Sequence, residues 1–439
     1  MPEIGSAPEE SAPAESAPED VDLLVVGGGK AGKTLAVARA KAGERVALVE
    51  RGLIGGSCIN IACIPTKTLV TSSRTLALFA RAERLGIRSP SAAVDLALLR
   101  AHKEGVVADM VDMHRTLFAG SGMDFILGTA RFTGPRTVQV ATDAGGTRTI
   151  RGRRVVLNTG TRPRIPSIPG LAREQLMTSE DMLRLEGIPE RLVVVGGGYV
   201  GCEFAQMFAR FGSAVTMIVR GPRLLAREDP EVSEAIEREL PADAVLVAVG
   251  REPVTDELEL ERAGVERDGR GFIVVDDELR TSADAVWAVG DVAGHPQFTH
   301  VSYDDFRVVQ HNLDGGHAST RGRLIPSVVF VEPEIASVGL SEAEAREAGH
   351  AVVVASQPVL AVPRSRTLRQ TEGFWKIVID RDSERILGAT LVGVDAAEVV
   401  SVIQTAMLAG APYTLLRDAI FAHPTMAEGL ATAFAGVSP

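Results

Sequence analysis

The sequence predicts an α/β fold: two Rossmann-like dinucleotide-binding domains, the second shortened, followed by a C-terminal α+β domain. Two observations carry this reading. A strand, glycine turn, helix and second strand occur in succession twice, once after Val21 and once after Leu192. From about Ile325 onward, Val328 to Val331, Ala351 to Ser356, Trp375 to Asp380 and Ile386 to Val392 read as strands, and Ala396 to Leu408 and Pro412 to Ala419 as helices, without a third glycine fingerprint. The chain has 439 residues and 45% hydrophobic content, enough for several buried cores.

In the first unit Asp22 to Val26 reads as a buried parallel strand, and Gly27-Gly28-Gly29-Lys30-Ala31-Gly32 follows it directly. Ala31 to Ala42 reads as a helix and Arg45 to Glu50 as the next strand. A lone glycine motif is weak evidence; placed between strand and helix, with an acid about twenty residues on, it is strong. Gly27 permits the tight turn, Gly29 lets backbone approach a pyrophosphate, and Gly32 allows close helix packing. The helix N-terminus then faces the phosphates, and Glu50 can accept from a ribose hydroxyl.

The second unit repeats the pattern. Leu192 to Val195 is a strand, Gly196, Gly198 and Gly201 form the turn, and a helix leads to the strand Ala214 to Val219. This strand ends in Arg220, not in an acid, with Arg223 and Arg227 close behind. Guanidinium groups there pair well with a 2′-phosphate and favour NADP over NAD, although surface arginines need no ligand. Glu231 to Leu240 reads as a helix, and Pro241-Ala-Asp then leads straight into Ala244 to Val249 and Gly250-Arg251-Glu252-Pro253. That connection is short for a complete doubly wound nucleotide fold. In one reading Ala244 to Val249 takes the place of the third strand and a minimal unit still binds its cofactor. In the other the sheet keeps a gap and an unpaired edge.

Cys58 and Cys63 lie close together before an apolar, helix-forming run that Pro65 opens, with Lys67 behind it. A thiol at a helix N-terminus is favoured as thiolate, and a neighbouring thiol can close and reopen a disulfide, so the pair can hold two electrons. Cys202, at the start of the second nucleotide helix, reads as a packed small residue. A net charge of −11 argues against nucleic acid or an anionic membrane as main partner. No apolar run approaches the length of a membrane span, and three cysteines with one close pair fit a reducing cytosol. Residues 1–20 are rich in Ser, Ala, Pro and Glu; they read as a disordered tail without the apolar stretch of a signal peptide.

With these motifs the chain resembles the class I pyridine nucleotide–disulfide oxidoreductases, which include glutathione reductase, dihydrolipoamide dehydrogenase and mercuric reductase. The resemblance implies FAD in the first fold, NAD(P) in the second, and a C-terminal dimerisation domain that makes a homodimer. It implies boundaries at 21–157 and 281–324 for the two parts of the FAD domain, 158–280 for the NAD(P) domain, shortened after Leu240, and 325–439 for the dimerisation domain. Gly160, in Asn158-Thr159-Gly160, marks the crossover, and Gly250 the return. Asp291 matches the aspartate that binds the flavin's ribityl chain; Lys67 and Glu203 match an ion pair beside the flavin; Tyr199 matches the tyrosine that gates the nicotinamide pocket. His423 and Glu428, in His-Pro-Thr-Met-Ala-Glu, match an acid–base pair that serves the partner subunit's cysteines. Such a pair suits thiol–disulfide exchange, which must move a proton between sulfurs. His102, His295 and His311 sit in no such context and read as surface or structural, and no metal site is assigned.

The implied reaction passes electrons from NAD(P)H through FAD and Cys63 to Cys58, and from there to a small disulfide or thiol-reactive oxidant. The chain shows no metal-binding CxxC domain at its N-terminus and no C-terminal cysteine pair, which argues against mercury as substrate. The stretches His295 to Arg307 and Ile61 to Val70 look most like bacterial reductases tied to resistance to hypohalous and hypothiocyanous acids. A dihydrolipoyl dehydrogenase-type enzyme is one alternative. A dithiol oxidase, redox sensor or inactive subunit is another, and Val254, where relatives carry Asn, is a smaller departure. Survival of Tyr199, Glu203 and Arg220 favours the enzyme.

Overall fold

A computed structural model describes residues 17–88, 92–166, 176–184, 186–219, 224–225 and 246–437. The chain divides into two compact units. One comprises Met1–Gly56, His114–Thr161 and Pro253–Ser319; the other comprises Ser57–Met113, Arg162–Glu252 and Thr320–Pro439.

In the first unit the strand Glu19–Val26 lies parallel between Val46–Glu50 and Thr147–Leu157, and Val286–Ala288 extends the sheet beyond Thr147–Leu157. Asp124–Gly134 runs parallel to Val46–Glu50, then folds back through Thr137–Thr142 into Thr147–Leu157 as an antiparallel meander. The central strand lacks polar alternation because both its faces are covered. Leu23 and Val25 pack with Leu35, Ala36, Val308 and Val309 from the helices Lys30–Lys41 and Thr299–Leu313. Leu24 and Val26 pack on the other side with Phe132, Val138 and Ile273. The strand begins at Glu19, three residues before the expected start, because Arg148 and Arg151 pair with Glu19 and Asp20 and hold them in register. The rest of the expected tail, residues 1–16, lies outside the described residues.

In the second unit Arg191–Val195 pairs in parallel with Ala214–Ile218 on one side and Leu246–Val247 on the other. Leu246–Val247 is thus not a third strand beside Ala214–Ile218. It takes the place of the strand that closes a doubly wound sheet on the far side of its first strand. The expected helix over 231–240, and Arg220, Arg223 and Arg227, lie outside the described residues. The helix Tyr199–Phe211 buries Phe204, Met207 and Phe208 against Leu192, Val194 and Val215, and Leu69 and Val70 of the helix Cys63–Ala80 join the same core.

The C-terminal sheet is antiparallel, in the order Ser327–Val329, Ile335–Gly339, Ile386–Val392, Phe374–Asp380, Val352–Pro358. Trp375 and Leu391 pack there with Ile403 of the helix Ala396–Leu408 and Phe434 of Gly429–Ala435. The expected helix from Pro412 shortens to Thr414–Arg417. The strand Ile335–Gly339 was not anticipated, since Ala336, Ser337 and Gly339 carry little β preference. Among the described residues no helix is long and apolar enough to cross a membrane.

Between the first two strands of this sheet, the segment Phe330 to Glu334 is gripped by two helices. Gln206 donates to Glu332 O and accepts from Glu332 N–H, both at 2.7 Å. Arg74 reaches Glu334 and Val331 O, while Arg81 and Arg210 converge on the Glu332 carboxylate. Burial opposes ionisation of Glu332, but the hydrogen bond from Arg81 and the charges of Arg210 and Arg81 outweigh it and hold the carboxyl below its usual range. A depressed carboxylate stabilises the fold above its unfolded pKa of about 4.3, and that contribution disappears as pH falls through the folded value. Glu332→Gln is therefore expected to melt below the native chain near neutrality. The gap should narrow as pH drops under about 4.5, read by circular dichroism melts across pH; a constant gap would exclude this contribution.

Candidate active site

The first glycine turn is fixed by backbone contact. A Cβ on Gly32 would stand 2.5 Å from Gly27 O, so the helix can approach the strand end only with glycine there. Gly27 N–H donates to Val49 O, and Gly29 caps the helix Lys30–Lys41, whose first turn carries no acid to oppose a phosphate. Glu50 accepts from Gly28 N–H at 2.8 Å through one oxygen, and from Gly52 and Leu53 N–H through the other. The carboxylate is thus anchored at the turn with acceptor capacity to spare.

Asn158, noted in sequence only as part of the crossover, binds both sides of this turn. Its Oδ1 accepts from Gly32 N–H at 2.9 Å and its Nδ2 donates to Val289 O at 2.8 Å. Asp291 accepts from Thr161 Oγ1 at 2.7 Å, and Gly160 accepts from Val254 N–H. Among the described residues Thr159 Oγ1 is buried without a hydrogen-bond partner. A glycine cradle, a helix N-terminus with no acid in its first turn and this spare hydroxyl fit the polar backbone of a dinucleotide.

Sequence reasoning also missed Ser302 and Asp305. Ser302 Oγ accepts from Ala31 N–H, and the fully buried Asp305 accepts from Gly290 N–H at 2.6 Å. Their signal was two polar residues one turn apart on the same helix face as Val301 and Val308. Lys33, also missed, donates to Gly55 O at 2.6 Å and contacts His114 Nε2 at 2.8 Å, tying down the turn before Ser57.

The second glycine turn repeats the first. A Cβ on Gly201 would lie 2.1 Å from Gly196 O; Gly196 N–H donates to Ile218 O; Gly198 caps the helix that Tyr199 opens. Its first turn also lacks an acid. Tyr199 packs beside Cys202, Leu224 and Val329, and Gly250 accepts from Arg164 N–H on the returning segment.

Cys58 lies in the short helix Ser57–Asn60, and Cys63 is the first residue of the 18-residue helix Cys63–Ala80; both are partly buried thiols. Lys67 follows one turn later and donates to Glu203 at 2.6 Å, in a pair whose carboxylate side chain is only 5% exposed. His423 stands 69% exposed, with its Nδ1 2.8 Å from Glu428 Oε2. Cys202 is buried, and burial, with Glu203 adding to it, pushes its thiol up to about 12.

These features define a flavin- and pyridine nucleotide-dependent oxidoreductase. The chain belongs to the pyridine nucleotide-disulphide oxidoreductase family, whose pattern matches residues 21–241 and 236–305, with the family's dimerisation domain at 325–434. It is 39% identical to the probable pyridine nucleotide-disulfide oxidoreductase RclA of Escherichia coli, over 93% of this chain and 97% of that one. It is 34% identical to a mercuric reductase of Staphylococcus aureus, covering 96% and 84%, and 34% identical to a dihydrolipoyl dehydrogenase of Haloferax volcanii, covering 93% and 94%. The solved structure of the HOCl-induced flavoprotein disulfide reductase RclA from Escherichia coli matches with a TM-score of 0.87 at 37% identity, over 95% of this chain and all of that one.

The burial difference among the three cysteines has a direct readout. Iodoacetamide at pH 8 after reduction is expected to label the Cys58–Cys63 pair at least on the order of tenfold faster than Cys202. Peptide mass analysis checks this; equal labelling of Cys202 would contradict its enclosure.

Proposed function

We propose that the protein is a homodimeric, FAD-dependent NAD(P)H oxidoreductase that reduces a small disulfide or thiol-reactive oxidant through Cys63 and Cys58. The observation that carries this reading is the bond between Lys67, one turn beyond Cys63, and Glu203 on the second nucleotide helix.

Gly27, Gly29 and Gly32 would hold the FAD pyrophosphate, with Glu50 on the ribose, Asp291 on the ribityl chain and Thr159 as a spare donor. Gly196, Gly198 and Gly201 would hold NAD(P), with Tyr199 over the nicotinamide pocket; Gly160 and Gly250 flank this fold. Bound FAD supplies the two-electron relay between NAD(P)H and the cysteine pair. Lys67, held by Glu203, stabilises negative charge developing beside it. Cys63 is favoured as thiolate by its helix N-terminus, and Cys58 is the thiol that attacks substrate. Glu428 fixes the His423 ring, leaving Nε2 to take up and return the thiol proton. The exposure of His423 suits service to a second subunit, and Leu408, Leu415 and Ile420, at 69%, 55% and 102% exposed, offer apolar surface for one.

The NADP preference rests on Arg220 and Arg223 by sequence alone. The named RclA relative, HOCl-induced, supports a small oxidant as acceptor. Lipoamide is the second reading, supported by the dihydrolipoyl dehydrogenase relative. Loss of NAD(P)H turnover is favoured by one observation: among the described residues Ala214–Ile218 has a single strand neighbour.

Anaerobic titration tests the proposal. NADPH, more readily than NADH, should reduce the flavin and raise a long-wavelength absorbance band. Reduction by dithiothreitol alone would instead support an oxidase or sensor. Cys58→Ser should keep its flavin yet lose turnover on the order of a thousandfold; undiminished activity with lipoamide, glutathione disulfide and hypothiocyanous acid would remove Cys58 from the mechanism.

A further inference from the structure

Both carboxylate oxygens of Glu203 are committed, and one commitment comes from the C-terminal domain. Oε2 accepts from Lys67 Nζ at 2.6 Å, and Oε1 accepts from the Phe330 backbone N–H at 3.0 Å. Phe330 also supplies its ring, whose centroid lies 4.8 Å from Lys67 Nζ. An ammonium, a buried carboxylate and an aromatic face, from three separate stretches of chain, therefore form one group.

That group is the first contact in a longer series. Lys67, Arg74 and Arg81 recur every seven residues along and just beyond the cysteine helix, and each reaches the segment Phe330 to Glu334. Glu203, Gln206 and Arg210 do the same from the helix Tyr199–Phe211. The Phe330 backbone is thereby held from both sides, with its ring beside the ammonium.

We propose that Phe330 is a positioning residue for Lys67, so that the C-terminal domain sets how readily the flavin is reduced; this rests on the flavoprotein reading above. Lys67 and Glu203 together are electrically neutral. The field they exert on a nearby negative charge depends on where each end of the pair stands. A lysine on a flexible four-carbon stem with one carboxylate partner can swing about that partner. The ring attracts the ammonium from a second direction, and the N–H bond fixes the carboxylate so that Oε2 is presented to it. Simple packing of Phe330 would require neither an ammonium over its face nor its N–H on the same carboxylate.

The test uses the full-length, flavin-loaded chain and reads the flavin midpoint potential by equilibration with a reference dye. Phe330→Leu and Phe330→Met keep the N–H but lose the π face. Both should shift the potential negative, with the equilibrium constant for flavin reduction falling about fivefold. Phe330→Tyr keeps the ring and should restore the native potential. In a Lys67→Met background, Phe330→Leu should add nothing further, because the group it positions is gone. A native potential in both the Leu and Met variants, or full additivity with Lys67→Met, would overturn the proposal. A native chain that takes up no flavin would overturn the underlying reading and the proposal with it.

Discussion

Backbone pressed against backbone at two glycine turns is the constraint from which the sites follow. At Gly32 and Gly201 a single added carbon would collide with the carbonyl of Gly27 or Gly196. Only because that carbon is absent can each helix start so close to its strand end. The apolar strands set the height of the sheet, but the glycines decide where the positive end of each helix points.

Charge placement then follows a common rule in both units. Each candidate site group is held by a partner that is itself fixed: Glu50 by three backbone N–H groups, Asp291 by Thr161, Lys67 by Glu203, His423 by Glu428. A side chain fixed in this way loses little freedom when a ligand arrives, so binding or charge development there meets a prepared field. The same acidic groups, left unpaired under cover, would be costly.

The strands, glycine turns and cysteine-bearing helix were legible because each depends on local pattern: a run such as Leu23 to Val26, a glycine at a fixed offset, a proline in the first turn after Cys63. The Ala396–Leu408 helix and the Ile386–Val392 strand fall where periodicity placed them. What was not legible depends on contacts distant in sequence. Nothing local marks Asn158 as a bridge or Phe330 as a neighbour of Lys67. Glu19 and Asp20 looked like the end of an acidic tail because the arginines that recruit them into the sheet lie about 130 residues away.

Asn158 has a consequence for the order in which the chain is made. Its side chain joins Gly32, 126 residues before it, to Val289, 131 residues after it. The entire second nucleotide fold is encoded between those last two points. During synthesis the first glycine turn therefore emerges early but stays without its bridge until most of the protein has left the ribosome. Contacts of such long separation form slowly and late. The glycine turn encoded first is thus among the last to be bridged.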